Sequence, residues 1–194
     1  FEIIELTQSV HIQFTDTCSV LQLDLGGPLE NGLGMKVLKV VAPQQALIWQ
    51  QNTEELLISL SKVFQKGETL TLGIELKGKP RDGLIISENK YKEATIFADN
   101  WPNRAHYWYA CNDHPSDKAT YTFLVESPSI YQVVANGSLM SKTPKPERNA
   151  VLWHYAINEP IPTKVAVVGV ADFASRRYAS SADIPIKGFV YPQD

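Results

Sequence analysis

What most constrains this chain is a period-two alternation of apolar and polar residues that recurs along its length, with little helical spacing between the runs. Val10-His11-Ile12-Gln13-Phe14, Val20-Leu21-Gln22-Leu23-Asp24-Leu25, Thr69 to Leu76, Ala119 to Val125, Val151 to Ile157 and Val165 to Val170 carry the pattern. Alternation puts successive side chains on opposite faces, which is the signature of half-buried strands. Turn residues fall between the runs: Gly26-Gly27-Pro28, Asn31-Gly32, Lys66-Gly67, Gly78-Lys79-Pro80, Asp82-Gly83, Asp113-His114-Pro115 and Asn136-Gly137. Each supplies a positive or a fixed φ and so ends a strand. Spacing of about 8–12 residues between such signals predicts an all-β sandwich or barrel-like stack of sheets.

One stretch, Asn52 to Ser61, has an acidic start followed by apolar spacing. Its Leu56-Leu57-Ile58-Ser59-Leu60 core reads as strand in preference to helix. Pro144 and Pro146, among Lys142, Lys145, Glu147 and Arg148, predict a solvated loop between strands ending near Leu139 and starting near Val151. No repeat, linker or low-complexity tract divides the 194 residues, so one domain spanning 1–194 is expected.

A formal charge of −3 leaves no basic footprint, which argues against nucleic acid or an anionic membrane surface as partner. No run approaches the ~18–20 apolar residues of a membrane-spanning helix. Cys18 and Cys111 do not make a disulfide framework and are expected as two free or buried thiols. The compartment stays open.

Chemistry-bearing residues concentrate between Phe97 and Gly137. Here Arg104 is followed by Cys111-Asn112-Asp113-His114-Pro115, by Lys118-Ala119-Thr120-Tyr121-Thr122-Phe123, and by Tyr131 and Ala135-Asn136-Gly137. This run resembles the N-terminal domain of M1-family zinc aminopeptidases, which has an Arg, a Cys-x-Asp-x-Pro turn, Lys-Ala-Thr with alternating aromatics, and an Asn-Gly strand end. Phe64 to Gly78, and Trp153 to Phe173 with Pro160-Ile161-Pro162-Thr163, are similar to other strands of that domain.

The resemblance implies a large twisted mixed sheet packed on a smaller one in a saddle-like arrangement. It also implies a parent enzyme that removes N-terminal residues from peptides with zinc. His11, His106, His114 and His154 are the only histidines, and none begins a His-Glu-x-x-His, the spacing that sets two imidazoles and a general base on one helical face. No Gly-x-Met-Glu-Asn substrate motif occurs either. The chain alone is therefore expected to be inactive and to hold no cofactor, with zinc in a downstream catalytic domain. That domain and the peptide N-terminus are the implied partners. The noncatalytic domain would wall the active-site cleft.

By position, Asp99 falls where the family has a Glu or Gln, five residues before Arg104, that binds the substrate α-amino group. A carboxylate there would grip an ammonium, although Asp is one methylene shorter. Alternatively Asp99 is a turn residue in Ala98-Asp99-Asn100-Trp101-Pro102. Arg104, between aromatic residues, is expected to pair with Asp113 or to stack on Trp101 or Trp108, in an architectural role; a plain exposed Arg is the alternative. Asp113 is expected to cap the turn before Pro115, and Lys118 to return the chain to a charged surface.

On an extended strand His106 and Cys111 would point apart, so the His106 to Asp117 cluster predicts no metal site. Trp101, Tyr107, Trp108 and Tyr109 are expected mainly in the core. An exposed coplanar strip of them would favour the alternative of a free-standing β-sandwich binding module; a structural or adaptor domain is the further alternative.

Overall fold

The computed structural model describes residues 3–43, 47–179 and 184–194. In chain order the strands are β1 (Ile4–Gln13), β2 (Cys18–Asp24), β3 (Gly34–Val41), β4 (Ile48–Gln51), β5 (Glu55–Phe64), β6 (Thr69–Lys79), β7 (Leu84–Glu88) and β8 (Ala94–Ala98). They continue as β9 (Lys118–Pro128), β10 (Gln132–Ala135), β11 (Ser138–Lys145), β12 (Ala150–Pro162), β13 (Val168–Ala171), β14 (Ala174–Tyr178) and β15 (Ile186–Val190). The all-β class is observed. Among the described residues, helix is confined to three short 3-10 turns at Ala105–Tyr107, Pro146–Arg148 and Thr163–Val165.

Contacts divide the chain into two compact units. The first comprises Phe1–Ile85, Ala98–Ala119 and Ile161–Ala166. It holds two antiparallel sheets, β1-β6-β3 and β2-β5-β4. Alternation does the work here: Leu70, Leu72, Ile74 and Leu76 of β6 all point inward, as do Leu56 and Ile58 of β5. With Met35, Val37 and Val40 of β3, Leu23 of β2 and the stacked rings of Phe14 and Phe64, they form one core. Each such side chain contributes about 1.5–3 kcal/mol by leaving water. Within the segment from Asn52, the part from Glu55 onward is thus strand, not helix. In β3 the register slips between Val37 and Lys39, which leaves Leu38 unpaired and exposed as a bulge.

The second unit comprises Ile86–Phe97, Thr120–Pro160 and Val167–Asp194. Within it β10 pairs with β13 and β11 with β12, both antiparallel, and β14 with β15 forms a hairpin. Tyr155 donates its hydroxyl to the carbonyl of Val133 at 2.9 Å, beside buried Val133 and Trp153. The loop expected after Leu139 is replaced by strand: β11 runs on to Lys145, with Pro144 opposite Val151. β11 lies at the sheet edge, where a proline's missing N–H removes no needed ladder bond. The chain then reverses through the 3-10 turn at Pro146–Arg148 and a left-handed Asn149.

Candidate functional site

The segment Asp99–Arg104, in the first unit, follows β8 as a turn. Three anchors hold it. Asp99 donates its backbone N–H to the carbonyl of Gly83 at 2.7 Å, and Arg104 donates its own to the carbonyl of Asn100 at 2.9 Å. Gly83 has φ +74°, and a Cβ there would lie 2.0 Å from the Arg104 carbonyl, so only glycine fits. The third anchor is Asn100, 1% exposed. Its amide donates to the carbonyls of Thr163 (3.0 Å) and Ala166 (2.6 Å), and its oxygen accepts the Trp108 indole N–H at 2.9 Å. These bonds satisfy a polar side chain that burial would otherwise penalise.

On this scaffold Asp99 is 49% exposed, and its Oδ2 accepts Nη2 of Arg104 at 2.6 Å. Nη1 of Arg104 reaches Oδ1 of Asp82 at 3.3 Å, and Nε donates to the carbonyl of Trp101 at 2.5 Å. Asp82 Oδ1 also caps the Gly83 N–H at 2.7 Å. Arg104 is therefore paired, but with Asp99 and Asp82 and not with Asp113 or a ring face.

Asp113 turns the other way. Its Oδ2 accepts the backbone N–H of His106 (3.2 Å) and meets the His106 Nδ1 at 2.7 Å, while Oδ1 accepts the Thr163 hydroxyl at 2.6 Å. An ionised carboxylate only accepts, so the proton on that pair sits on Nδ1. Burial pushes the pKa of Asp113 up, but the bonds from His106 and Thr163 outweigh it and hold that pKa below the usual carboxylate range. Asp113 thus fastens the chain to His106 and Thr163 and does not cap the next turn. That turn, which carries exposed Pro115, closes through Asp117 N–H to the His114 carbonyl at 3.0 Å. Lys118 begins β9 and is exposed.

The expected strand through His106 is a 3-10 turn, because the N–H groups of Trp108 and Tyr109 both bond the Ala105 carbonyl. The His106 and Tyr107 rings consequently lie side by side, 4.1 Å apart at their centroids. Trp108 and Tyr109 are buried, and Trp101 is 60% exposed beneath the ammonium of Lys164, 4.7 Å from its ring centroid.

Cys111 and Cys18 are free thiols. Burial first, then the carboxylates of Asp113, Asp24 and Asp117, pushes the Cys111 thiol well up, which disfavours the thiolate that a metal needs. Among the described residues no three His, Cys, Asp or Glu side chains gather as metal ligands, and these residues do not fit a zinc centre.

Sequence reasoning missed Asp82, Asn100 and Thr163 as members of the site. Asp82-Gly83 carried only a turn signal, and one polar Asn beside Trp101 was the only trace of the buried bonds of Asn100.

The peptidase M1 N-terminal domain model matches residues 35–165. Human aminopeptidase Q is 22% identical over 160 residues, which is 77% of this chain and 16% of that protein. An M1 zinc metallopeptidase from Deinococcus radiodurans superposes with a TM-score of 0.77 at 20% identity, over 94% of this chain and 41% of that one. A two-domain M1 zinc metallopeptidase mutant bound to L-tryptophan superposes with a TM-score of 0.79 at 22% identity, over 96% of this chain and 43% of that one. These two likenesses are of fold, and the chain spans less than half the length of each relative.

Proposed function

Since this chain belongs to the peptidase M1 N-terminal domain family, whose members are zinc-dependent, we propose that residues 1–194 form the noncatalytic domain of an aminopeptidase. In this reading it walls the active-site cleft, docks on a catalytic domain elsewhere in the polypeptide that holds the zinc, and binds the substrate's α-amino group through Asp99. The observation that carries the amine role is the Asp99 carboxylate, half exposed on a turn pinned from both sides. An ammonium pulled from water needs an ionised, preplaced acceptor, and a bond of that kind contributes about 1.5–3 kcal/mol. That corresponds to roughly 10- to 100-fold in affinity. Exposed Trp101 and Val165 make the surface of this unit partly apolar, which suits a docking face better than a fully polar one. The buried positions of Trp108 and Tyr109 weigh against an aromatic binding strip.

The test uses the complete encoded protein. Asp99→Asn is expected to raise KM for a peptide with a free amino terminus by about 10- to 100-fold and to leave a des-amino peptide unaffected. Unchanged KM for the free-amine peptide would reject the amine role.

A further inference from the structure

Arg104 does more than hold the turn. Its guanidinium engages three groups at once: Oδ2 of Asp99 at 2.6 Å, Oδ1 of Asp82 at 3.3 Å and the carbonyl of Trp101 at 2.5 Å. The three contacts use three different nitrogens, so the plane of the guanidinium is fixed relative to the backbone. Only Arg offers such a rigid fork; a lysine ammonium is a single point that can satisfy one partner at a time. At 28% exposure Arg104 is the most covered member of the trio, against 49% for Asp99 and 41% for Asp82. The cation thus sits below two carboxylates that face water more openly.

Charge points the same way. Asp82 and Asp99 contribute two negative charges and Arg104 one positive, so the trio carries a net −1. That balance suits one ammonium and is too small for a divalent ion, which gathers several carboxylate oxygens. Lys164 places its ammonium over the Trp101 ring, and Arg81, beside Asp82 in the chain, is paired with Glu54. A short aspartate has little reach to adjust. The bond from Nη2 fixes where its carboxylate stands, and the Asp82 turn, locked by Gly83, fixes where Nη1 stands.

Resting on the amine-binding reading above, we infer that Arg104, braced by Asp82, is a positioning residue that sets the Asp99 carboxylate for a substrate ammonium. Arg104 does not touch the ammonium. It removes the rotamer freedom Asp99 would otherwise lose on binding, and it keeps the trio at one net negative charge.

Calorimetric titration of the complete encoded protein, with its zinc chelated so that leucinamide is not hydrolysed, separates the possibilities. Leucinamide, which has a free α-amine, is compared with its des-amino counterpart, isocaproamide. Arg104→Lys keeps the charge and loses the fork, and is expected to weaken leucinamide about 10-fold, in line with loss of one charge-assisted contact. Asp82→Asn is expected to weaken it less, by about 3-fold, through loosening of Arg104. Isocaproamide affinity should not change in either variant. Should Asp99→Asn weaken leucinamide while Arg104→Lys binds it like wild type, the positioning role is wrong and the amine reading survives. Equal weakening of both ligands by Arg104→Lys would make Arg104 a scaffold residue only. Should Asp99→Asn itself leave leucinamide binding intact, the amine reading fails and the positioning role fails with it.

Discussion

At the scale of single residues, the polar groups beneath the Asp99 turn matter more than its exposed charges. Asn100→Ala would leave the Trp108 indole N–H and the carbonyls of Thr163 and Ala166 buried without their partner. We expect a loss of about 2–4 kcal/mol in urea unfolding, since each orphaned buried group costs about 1–3 kcal/mol and some relax. Asp113 gives a pH signature. Its folded pKa lies below the unfolded value of about 3.9, so between the two the unfolded chain binds more protons. Its contribution is present above about pH 4 and is lost as pH falls through the folded pKa. In wild type, stability should therefore fall more steeply with acid below about pH 4 than in Asp113→Asn; parallel curves would show that Asp113 contributes nothing there. The position of Asp99, five residues before Arg104, could be read from the sequence. That Arg104 chooses Asp99 and Asp82 could not, because Asp82 arrives through a turn far away in the chain, and its neighbour Gly83 places it only in three dimensions.

At the scale of elements, alternation is legible wherever one face is buried and the other wet. β1, β2, β6, β9 and β12 lie on the runs picked out by period two, and β5 is strand as read. The run from Val165 is strand only from Val168, because Thr163–Val165 is wound into a 3-10 turn whose carbonyls Asn100 partly holds. Strands without a dry face gave no such signal. β11 is exposed along almost its whole length and contains Pro144, and β14 presents Arg176 and Arg177 on a fully exposed hairpin strand. The extended reading of His106 failed for a related reason: aromatic residues at every position mimic a strand, while the backbone bonds locally to Ala105. The buried strands carry the stability. Leu72, fully buried at the centre of β6, should cost about 2–5 kcal/mol on replacement by Ala. The same change at Leu124, exposed on β9, should fall within about 0.5 kcal/mol. Denaturant midpoints for the two variants would decide it; equal losses would mean that the sheet pair does not hold the core.

At the scale of the whole molecule, the family is settled by a match over residues 35–165, and the share of each relative covered is small, 16% of aminopeptidase Q and 41% of the Deinococcus radiodurans enzyme. The central claim is that this β-rich chain serves a zinc centre it does not itself contain. Reading the encoding gene in frame past the codon for Asp194 tests it most directly. The account predicts a continuation with Gly-x-Met-Glu-Asn, then His-Glu-x-x-His and a further Glu downstream. A frame that closes without them would contradict it and leave a binding or adaptor domain of the same fold.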